Sequence, residues 1–398
     1  MPLGWIDFSK SERNKVLSVL DRLSESGTLD ELGIAPIRDG FANIFFPGTS
    51  TIQTRAKYFL LVPYALKDME YSSENNPGRI LNIFDEVEKE CGKRLLENKE
   101  DTNGIIGSRS LIQDKWVKRT PADVYWAGLR SYGIFTGSLS LSEYVRAMCA
   151  MKKQKSNLTR LGSRNDSDED EGDDKNAGDL FKMQFWNIPT YSSNWQDDIN
   201  IKLTKEEGEF LKHQIVISYP DSMMAYILKN NKTEVLEVED YLSLESLIRI
   251  FPENIRSDYY LARDFSSFLY VIRTLYNIII SDEKNEEANS EWEILRPKLI
   301  KLADVDLDRI INRLQIFKNA DLCSFIKKEK EYMLAKDIEA MKNEIKRRER
   351  SLKTTRAKTM HPGEFDPDVW FGGRELDYRF NNAKIIMRDI FESEGFYA

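Results

Sequence analysis

Apolar residues recur at helical spacing along most of the chain. Within residues 79–97, for example, Ile80, Ile83 and Val87 fall three or four positions apart, which places them on one face of a helix. The longest pattern of this kind covers residues 257–281 and predicts a helix at the centre of a core. Because such segments dominate the sequence, we predict a mainly α, multi-helical, two-domain protein with a few short strands.

Two shorter apolar clusters are interpreted as strands. One comprises Phe41, Ile44, Phe45 and Phe46, and the other covers residues 185–189. Helical spacing predicts further helices at 290–302, 306–318, 322–353 and 376–393.

The clearest local signals for helices lie between residues 120 and 153. Thr120 and Pro121 supply a cap and a first-turn proline, and Ser140 with Glu143 forms a capping box that begins a second helix. Two capped helices joined by a glycine-containing turn resemble a helix-turn-helix. The connection is longer than the usual turn of roughly three or four residues, and most such pairs only pack together. Both DNA binding and plain packing therefore stay open for this pair.

The composition excludes several classes of protein. The 398 residues include 58 Lys and Arg against 66 Asp and Glu, a net charge of −8, and 41% are hydrophobic, which is too many for a wholly disordered chain. No run of about 18 apolar residues indicates a membrane span, and the first residues do not form a secretory signal. Cys91, Cys149 and Cys323 are few and far apart, which favours a reducing, cytoplasmic location.

An acidic segment divides the chain. Residues 163–179 hold eight acidic and two basic residues, a net charge of −6, and no large apolar residue. Such a segment cannot bury enough surface to offset the entropy lost on ordering, so we predict a disordered linker or loop at 161–180. It separates an N-terminal helical domain, 1–160, with the candidate helix-turn-helix, from a C-terminal helical domain, 181–398. The rest of the chain is nearly neutral, so the overall acidity does not exclude nucleic-acid binding.

The sequence lacks the usual catalytic and cofactor motifs. It contains no phosphate-binding loop, no dinucleotide-binding glycine motif and no serine nucleophile elbow. Two histidines, His213 and His361, and three scattered cysteines do not supply a zinc site, so we predict no cofactor and no metal. One catalytic alternative stays open, because Asp264 followed by the triplet Asp-Glu-Lys at 282–284 matches the pattern of an Asp and a later acid-x-Lys that many metal-dependent nucleases use. Against it, the intervening residues have helical periodicity.

Basic residues cluster towards the end of the chain. Residues 342–358 hold eight positive and two negative residues, a net charge of +6, and this density suits binding to a phosphate backbone. A solvated helix end would carry the same charges, and that interpretation stays open. A second basic set flanks the candidate helix-turn-helix, where it suits contacts with a DNA backbone. The candidate DNA-binding residues are Lys115, Lys118, Arg119, Lys152, Lys153, Lys346, Arg347, Arg348, Arg350 and Lys353.

Two N-terminal segments resemble a known group of proteins. They are Gly4–Ser9, with the sequence GWIDFS, and Phe46–Tyr64, with the sequence FPGTSTIQTRAKYFLLVPY. Both resemble a family of uncharacterised bacterial proteins of about this length that is associated with anti-phage defence gene clusters. The resemblance implies a component of a larger assembly, and it supplies no catalytic residues.

These observations define three hypotheses for the function. The leading one is a cytoplasmic, non-enzymatic subunit or adaptor of a bacterial anti-phage defence or DNA-processing assembly. Its expected partners are other protein subunits of that system and DNA, without contact to a membrane. The alternatives are a metal-dependent nuclease that uses clustered carboxylates, and a structural or sensor protein that recognises a phage component.

Overall fold

The computed structural model describes residues 30–98, 101–162 and 185–397, with the side chains of 155–162 excepted. Within these residues the protein is mainly α, as predicted, with 15 α-helices and five short 3₁₀ turns. The β structure of the same residues is one isolated antiparallel bridge, between Phe135 and Trp186. None of the described helices is both long enough and apolar enough to cross a membrane.

The α-helices are numbered here in chain order. They are α1 (Ala35–Phe45), α2 (Tyr58–Tyr71), α3 (Pro77–Glu97), α4 (Ser108–Leu111), α5 (Pro121–Ser131), α6 (Leu141–Gly162), α7 (Lys205–Ser218), α8 (Met223–Lys229), α9 (Glu253–Ile280), α10 (Glu286–Leu295), α11 (Leu299–Leu302), α12 (Leu307–Arg313), α13 (Ala320–Ala335), α14 (Ile338–Lys353) and α15 (Phe380–Ser393). The 3₁₀ turns are Thr233–Glu237, Leu242–Ile250, Arg296–Lys298, Thr354–Arg356 and Lys358–Met360.

The described residues form two compact units, each built from segments that are distant in the sequence. Unit 1 draws on the described residues up to Ala42 and on Ile248–Tyr378, and unit 2 draws on the described residues within Asn43–Leu247 and from Arg379 onwards. The predicted domains, 1–160 and 181–398, divide the chain differently from these two units, and they stay a prediction.

Two of the sequence features lie outside the residues that the structure describes. The acidic segment 163–179, the main part of the predicted linker, lies outside the described residues. The motif Gly4–Ser9 also lies outside them.

Helix α9 is the central element of unit 1. Phe265, Phe268, Ile272 and Leu275 are fully buried, which confirms the core helix predicted over 257–281. The helix contacts α10, α11 and α14, and α13 packs against α14. Its apolar spacing therefore provides the surface on which α14 is held.

Unit 2 is organised around α2, whose first nine residues are all buried. This helix contacts α3 and α5, and α3 also contacts α6. The ring of Phe59 lies 4.9 Å from that of Tyr125 and 5.2 Å from that of Tyr132, measured between centroids. In the predicted helix-turn-helix pair, α5 thus packs on α2 and α6 packs on α3, and the Tyr144 hydroxyl of α6 also donates a hydrogen bond to Glu70 on α2 at 2.8 Å. That the pair reads DNA stays a prediction.

The strand predicted between positions 41 and 46 is wrong, because α1 covers all but the last of these residues. The Asp30 carboxylate accepts a hydrogen bond from the backbone N–H of Ile34, at 2.8 Å, just before the helix begins. Ile37, Phe41 and Phe45 then recur at intervals of four and are all buried. A short apolar run fits a strand or a helix equally well, but Phe41, Ile44 and Phe45 already have the three- and four-residue spacing of a helix, and Ile37 extends it by one turn.

Two further predictions need correction. Residues 185–189 form one isolated bridge rather than a strand. The helix predicted over 322–353 is divided into α13 and α14, because Lys336 adopts a φ of +56° and ends α13. The Asp337 side chain then accepts a hydrogen bond from the backbone N–H of Ala340, at 3.0 Å, and caps α14.

Candidate nucleic-acid interface

Helix α14 separates apolar and cationic residues onto different faces. Met341 and Ile345 are fully buried where the helix contacts α9 and α13. Lys346 and Arg350 lie one helical turn apart from each other and are both exposed. The helical period therefore decides which basic residues of the segment 342–358 reach solvent.

A cleft of about 670 Å³ lies along the exposed face of α14. The 3₁₀ turn Lys358–Met360 contributes two of its lining residues, and α14 contributes the rest. None of these described lining residues carries a carboxylate. We call it the α14 cleft, and it is lined by Asn343, Lys346, Arg347, Arg350, Ser351, Thr359 and Met360.

The cations of the cleft differ in their partners. Arg347 donates from Nε to Glu344 Oε2 at 2.7 Å, and its side chain is 50% exposed. Lys346 and Arg350 form no ion pair with any described residue. Their charge is thus available to an anion from solution, whereas that of Arg347 is partly neutralised.

Arg348 serves the fold of unit 1 rather than its surface. Its side chain is buried, and Nε donates a hydrogen bond to the carbonyl of Leu32 at 2.9 Å. The guanidinium also lies 5.5 Å from the ring centroid of Phe325. Burial lowers the pKa of Arg348. This placement leaves Arg348 out of contact with a ligand in the α14 cleft.

Lys353 is also held within unit 1. Its ammonium forms an ion pair with the buried carboxylate of Glu31 and lies 3.7 Å from Glu349 Oε1. The ammonium of Lys358 pairs with the same Glu31 carboxylate. Burial, together with the charge of Lys358, lowers the pKa of Lys353 to about 8. Among the five candidate residues on α14, Lys346, Arg347 and Arg350 therefore form the accessible set.

The basic residues beside the candidate helix-turn-helix belong to unit 2, and α14 belongs to unit 1. The ammonium of Lys152 forms hydrogen bonds within unit 2, because Nζ donates to the carbonyl oxygens of Ser72, at 2.9 Å, and Glu74, at 3.2 Å. Nζ also donates to the carbonyl of Met69 in the last turn of α2, where the helix leaves its acceptors open. The remaining residues of this set are exposed or half-buried: Lys115, Lys118, Arg119 and Lys153.

The charged residues of the segment Phe46–Tyr64 form a buried polar centre in unit 2. Arg55 Nε lies 3.0 Å from both carboxylate oxygens of Asp389 on α15, and the backbone N–H of Ala56 donates to the same carboxylate at 2.7 Å. Arg55 Nη1 also pairs with Asp101 Oδ2 at 2.5 Å. Burial raises the pKa of Asp389, and the Arg55 charge opposes that rise. This centre joins the start of α2 to α15.

A second buried ion pair follows two residues later. Lys57 Nζ lies 2.6 Å from Glu207 Oε2, with both side chains less than a tenth exposed. Glu207 also accepts a hydrogen bond from the backbone N–H of Thr204, at 2.8 Å, in the capping box that begins α7. The ion pair therefore connects the start of α2 to α7 and holds these two helices of unit 2 together. Neither ion pair was predicted from the sequence, although Arg55 and Lys57, placed just before the apolar start of α2, were a signal for buried partners.

The residues of the nuclease alternative do not assemble a metal site. Asp264 forms an ion pair with its neighbour Arg263 at 2.7 Å, and Asp282 pairs with Lys284 at 3.4 Å. Over the part of the chain that the structure describes, no group of three or more His, Cys, Asp or Glu side chains is placed to hold a metal ion. No observation on the described residues favours carboxylate-metal catalysis.

The fold and the cleft together define a mainly α protein with a cation-lined surface cleft. The model of a family of unknown function, DUF6361, matches residues 1–293, and the chain belongs to that family. The matched residues include the segment Phe46–Tyr64, whereas α14 lies beyond them. No curated protein and no solved structure matches the chain.

Proposed function

We propose that the protein binds nucleic acid through the α14 cleft and acts as a non-catalytic subunit or adaptor of a DNA-processing or anti-phage defence assembly. The observation that carries the first part is the pair Lys346 and Arg350. Both side chains are exposed, line one cleft and have no carboxylate partner among the described residues. Exposed cations of this kind release counterions from a phosphate backbone when they bind it.

The geometry of α14 supports contact with successive phosphates. Positions four apart on a helix are separated by about 6 Å along its axis and lie on the same face. Lys346 supplies a point charge, and Arg350 supplies a planar fork that matches two phosphate oxygens. The free side-chain amide of Asn343, one turn before Lys346, adds a neutral donor to the same cleft. Contacts of these types fix the position of the backbone and do not read its sequence.

Removing the two free cations should weaken binding and flatten its dependence on salt. For the double variant Lys346→Ala and Arg350→Ala, we expect the slope of log K against log salt concentration for duplex DNA to fall by about 1.8, or about 0.9 for each lost phosphate contact. The affinity at about 0.1 M salt should drop roughly tenfold or more. Fluorescence anisotropy with a labelled duplex, measured across salt concentrations, provides both quantities.

A charge-matched control separates a local contact from the loss of net charge. Arg249 and Lys318 are exposed residues of unit 1 that lie outside the α14 cleft. Their double alanine variant removes the same two types of side chain and should leave the slope unchanged. Equal effects of the two double variants would contradict the assignment of the interface to α14, and so would a wild-type protein that does not bind.

We also propose that other subunits of the same assembly are partners of this chain. The resemblance of Gly4–Ser9 and Phe46–Tyr64 to proteins from defence gene clusters supports this part. After co-expression with the neighbouring genes, at least one encoded subunit should co-elute at a fixed stoichiometry and remain bound after nuclease treatment. If the protein elutes alone in every such co-expression, the adaptor role is wrong. That result would not bear on nucleic-acid binding, which the anisotropy measurement tests separately.

A further inference from the structure

A second cleft in unit 1, of about 510 Å³, lies between α11 and the C-terminal end of α13. It combines several apolar side chains with lysines, whereas Met360 is the one large apolar side chain among the described residues that line the α14 cleft. We call it the α11 cleft, and it is lined by Pro297, Lys298, Ile300, Lys301, Ala303, Asp304, Lys330 and Leu334. This mixture of side chains suits a ligand that has both apolar and charged groups.

The apolar part of the α11 cleft is open to solvent. Ile300 is 54% exposed and Leu334 is 47% exposed, and Pro297 is exposed as well. Apolar residues that are scattered singly over a surface are common, but a group of them in one cleft marks an interaction site. The α11 cleft therefore has the character of a docking surface, and its occupant must cover Ile300 and Leu334.

The walls of the α11 cleft are held by the fold, so its exposed apolar side chains have no buried position to turn into. Leu299 and Ala303 are buried and already fill the inward face of α11, which contacts α9 and α13. Lys330 Nζ donates a hydrogen bond to the carbonyl of Val305 at 2.8 Å, which joins α13 to the residues that follow α11. The cleft is thus preformed, and a ligand does not have to open it.

The charges of the α11 cleft favour an acidic ligand. Its described lining holds three lysines and one aspartate, a net charge of +2. Lys298 and Lys301 are exposed and form no ion pair with any other described residue. A phosphate backbone would use these charges and leave the apolar side chains uncovered, whereas a peptide with carboxylates and large apolar side chains would use both. The combination therefore favours a protein ligand over a nucleic acid.

We propose that the α11 cleft docks a short acidic, amphipathic segment of a partner protein. Large apolar side chains of that segment pack against Ile300 and Leu334, and its carboxylates face the cleft lysines. At such a surface the covered apolar groups supply most of the affinity, and the charges set the specificity and the rate of association. This inference rests on the adaptor role proposed above and names the chemistry by which a partner subunit is recognised.

The test uses a displayed library of random peptides of about 12 residues as its probe. The library is selected on the full-length protein without nucleic acid, and peptides that also bind the double variant Ile300→Ser and Leu334→Ser are removed. We expect the remaining sequences to combine several acidic residues with several large apolar ones. If no sequence remains, or if the remaining sequences lack acidic residues, the proposal is wrong.

Fluorescence anisotropy of one selected peptide then assigns the contacts. The double variant Lys298→Glu and Lys301→Glu should bind this peptide at least about tenfold more weakly than the wild type, since like charges then face each other. A peptide with lysine in place of its acidic residues should reverse that order and prefer the charge-reversed variant. Because both lysines are exposed, the substitutions should leave the stability of the protein within about 0.5 kcal/mol of the wild type.

Control substitutions at exposed positions of unit 1 outside the α11 cleft separate local contacts from general effects. Phe317→Ser removes an apolar side chain that is 60% exposed, and Arg249→Glu with Lys318→Glu reverses two exposed charges. The affinity for the selected peptide should be the same in these variants as in the wild type. A loss as large as that of the matching cleft variant would contradict the α11 cleft as the docking surface.

Other occupants of the cleft would give different results, and each would overturn the proposal. If Lys298→Glu with Lys301→Glu lowers the salt slope for duplex DNA as the α14 double variant does, the cleft belongs to the nucleic-acid surface. If light scattering shows a dimer that Ile300→Ser with Leu334→Ser dissociates, the occupant is a second copy of the chain. If peptides bind only after the acidic residues of 163–179 are replaced by their amides, that segment is the occupant.

The peptide assay and the co-expression assay fail independently. A subunit that co-elutes with the protein, together with no peptide that distinguishes the wild type from the Ile300→Ser and Leu334→Ser variant, would keep the adaptor role and reject the α11 cleft as a docking surface. Peptide binding at the cleft without any co-eluting subunit would keep the docking surface and reject the neighbouring gene products as its partners.

Discussion

Replacing Arg55 with alanine is expected to lower the free energy of unfolding of unit 2 by about 3–5 kcal/mol, the usual result of removing one partner from a buried ion pair. The Arg55 guanidinium and the Asp389 carboxylate are each less than a tenth exposed and lie 3.0 Å apart. Without the cation, Asp389 retains the hydrogen bond from the backbone of Ala56 and loses its counter-charge. Because the pair joins residues 334 positions apart, the loss also loosens α15 from the start of α2.

Urea unfolding of the wild type and the variant measures this difference. Lys205→Ala serves as a control, because it breaks the exposed i,i+4 pair with Glu209 and should change stability by less than about 0.5 kcal/mol. Combining Arg55→Met with Asp389→Asn should recover part of the loss, since neither residue then leaves a charge in the interior and the asparagine still accepts from Ala56. A loss below about 1 kcal/mol in Arg55→Ala would show that water, rather than the arginine, solvates Asp389.

Local chemistry explains why much of the helical framework was predictable. The capping residues Thr120 and Ser140 mark the starts of α5 and α6, and their hydrogen bonds depend only on neighbours three positions away. The break between α13 and α14 depends instead on a left-handed backbone at Lys336, and lysine carries no signal for that conformation. Short-range patterns therefore located the starts of α5 and α6 and missed the break at Lys336.

The candidate site was predictable only in part, for a related reason. Net charge singled out the segment 342–358, but it did not distinguish Lys346 and Arg350, which face solvent, from Arg348, which is buried. Arg348 follows Met341 and Ile345 at intervals of four and three, so the helical period alone would have assigned it to the buried face. The Glu31 carboxylate that holds Lys353 is more than 300 residues away in sequence, and no local pattern indicates such a partner.

The stability of the protein is expected to fall as the pH rises from about 4.5 to about 8, and Glu88→Gln should remove a large part of that fall. Glu88 on α3 is buried, and its Oε1 accepts a hydrogen bond from the backbone N–H of Ala122 at 2.7 Å. Its Oε2 has no partner among the described residues, and burial raises the pKa of Glu88 to about 8. The buried carboxyl of Glu329 has no partner for either oxygen, and burial raises its pKa in the same direction.

In the unfolded chain a glutamate ionises near pH 4.3. Between that pH and the folded-state pKa, the native protein therefore holds a proton that the unfolded chain has released. Stability then decreases by about 1.4 kcal/mol per pH unit for each such group, and the decrease from Glu88 ends above about pH 8.

Urea unfolding at pH 5, 6, 7 and 8 measures the slope of unfolding free energy against pH. Glu88→Gln should reduce that slope by about 1.4 kcal/mol per pH unit, because glutamine does not titrate. For the control Glu86→Gln, at an exposed position of the same helix, the plot of unfolding free energy against pH should run parallel to that of the wild type. If the Glu88→Gln curve runs parallel as well, Glu88 is ionised in the folded protein, and water or a rearranged side chain must solvate its charge.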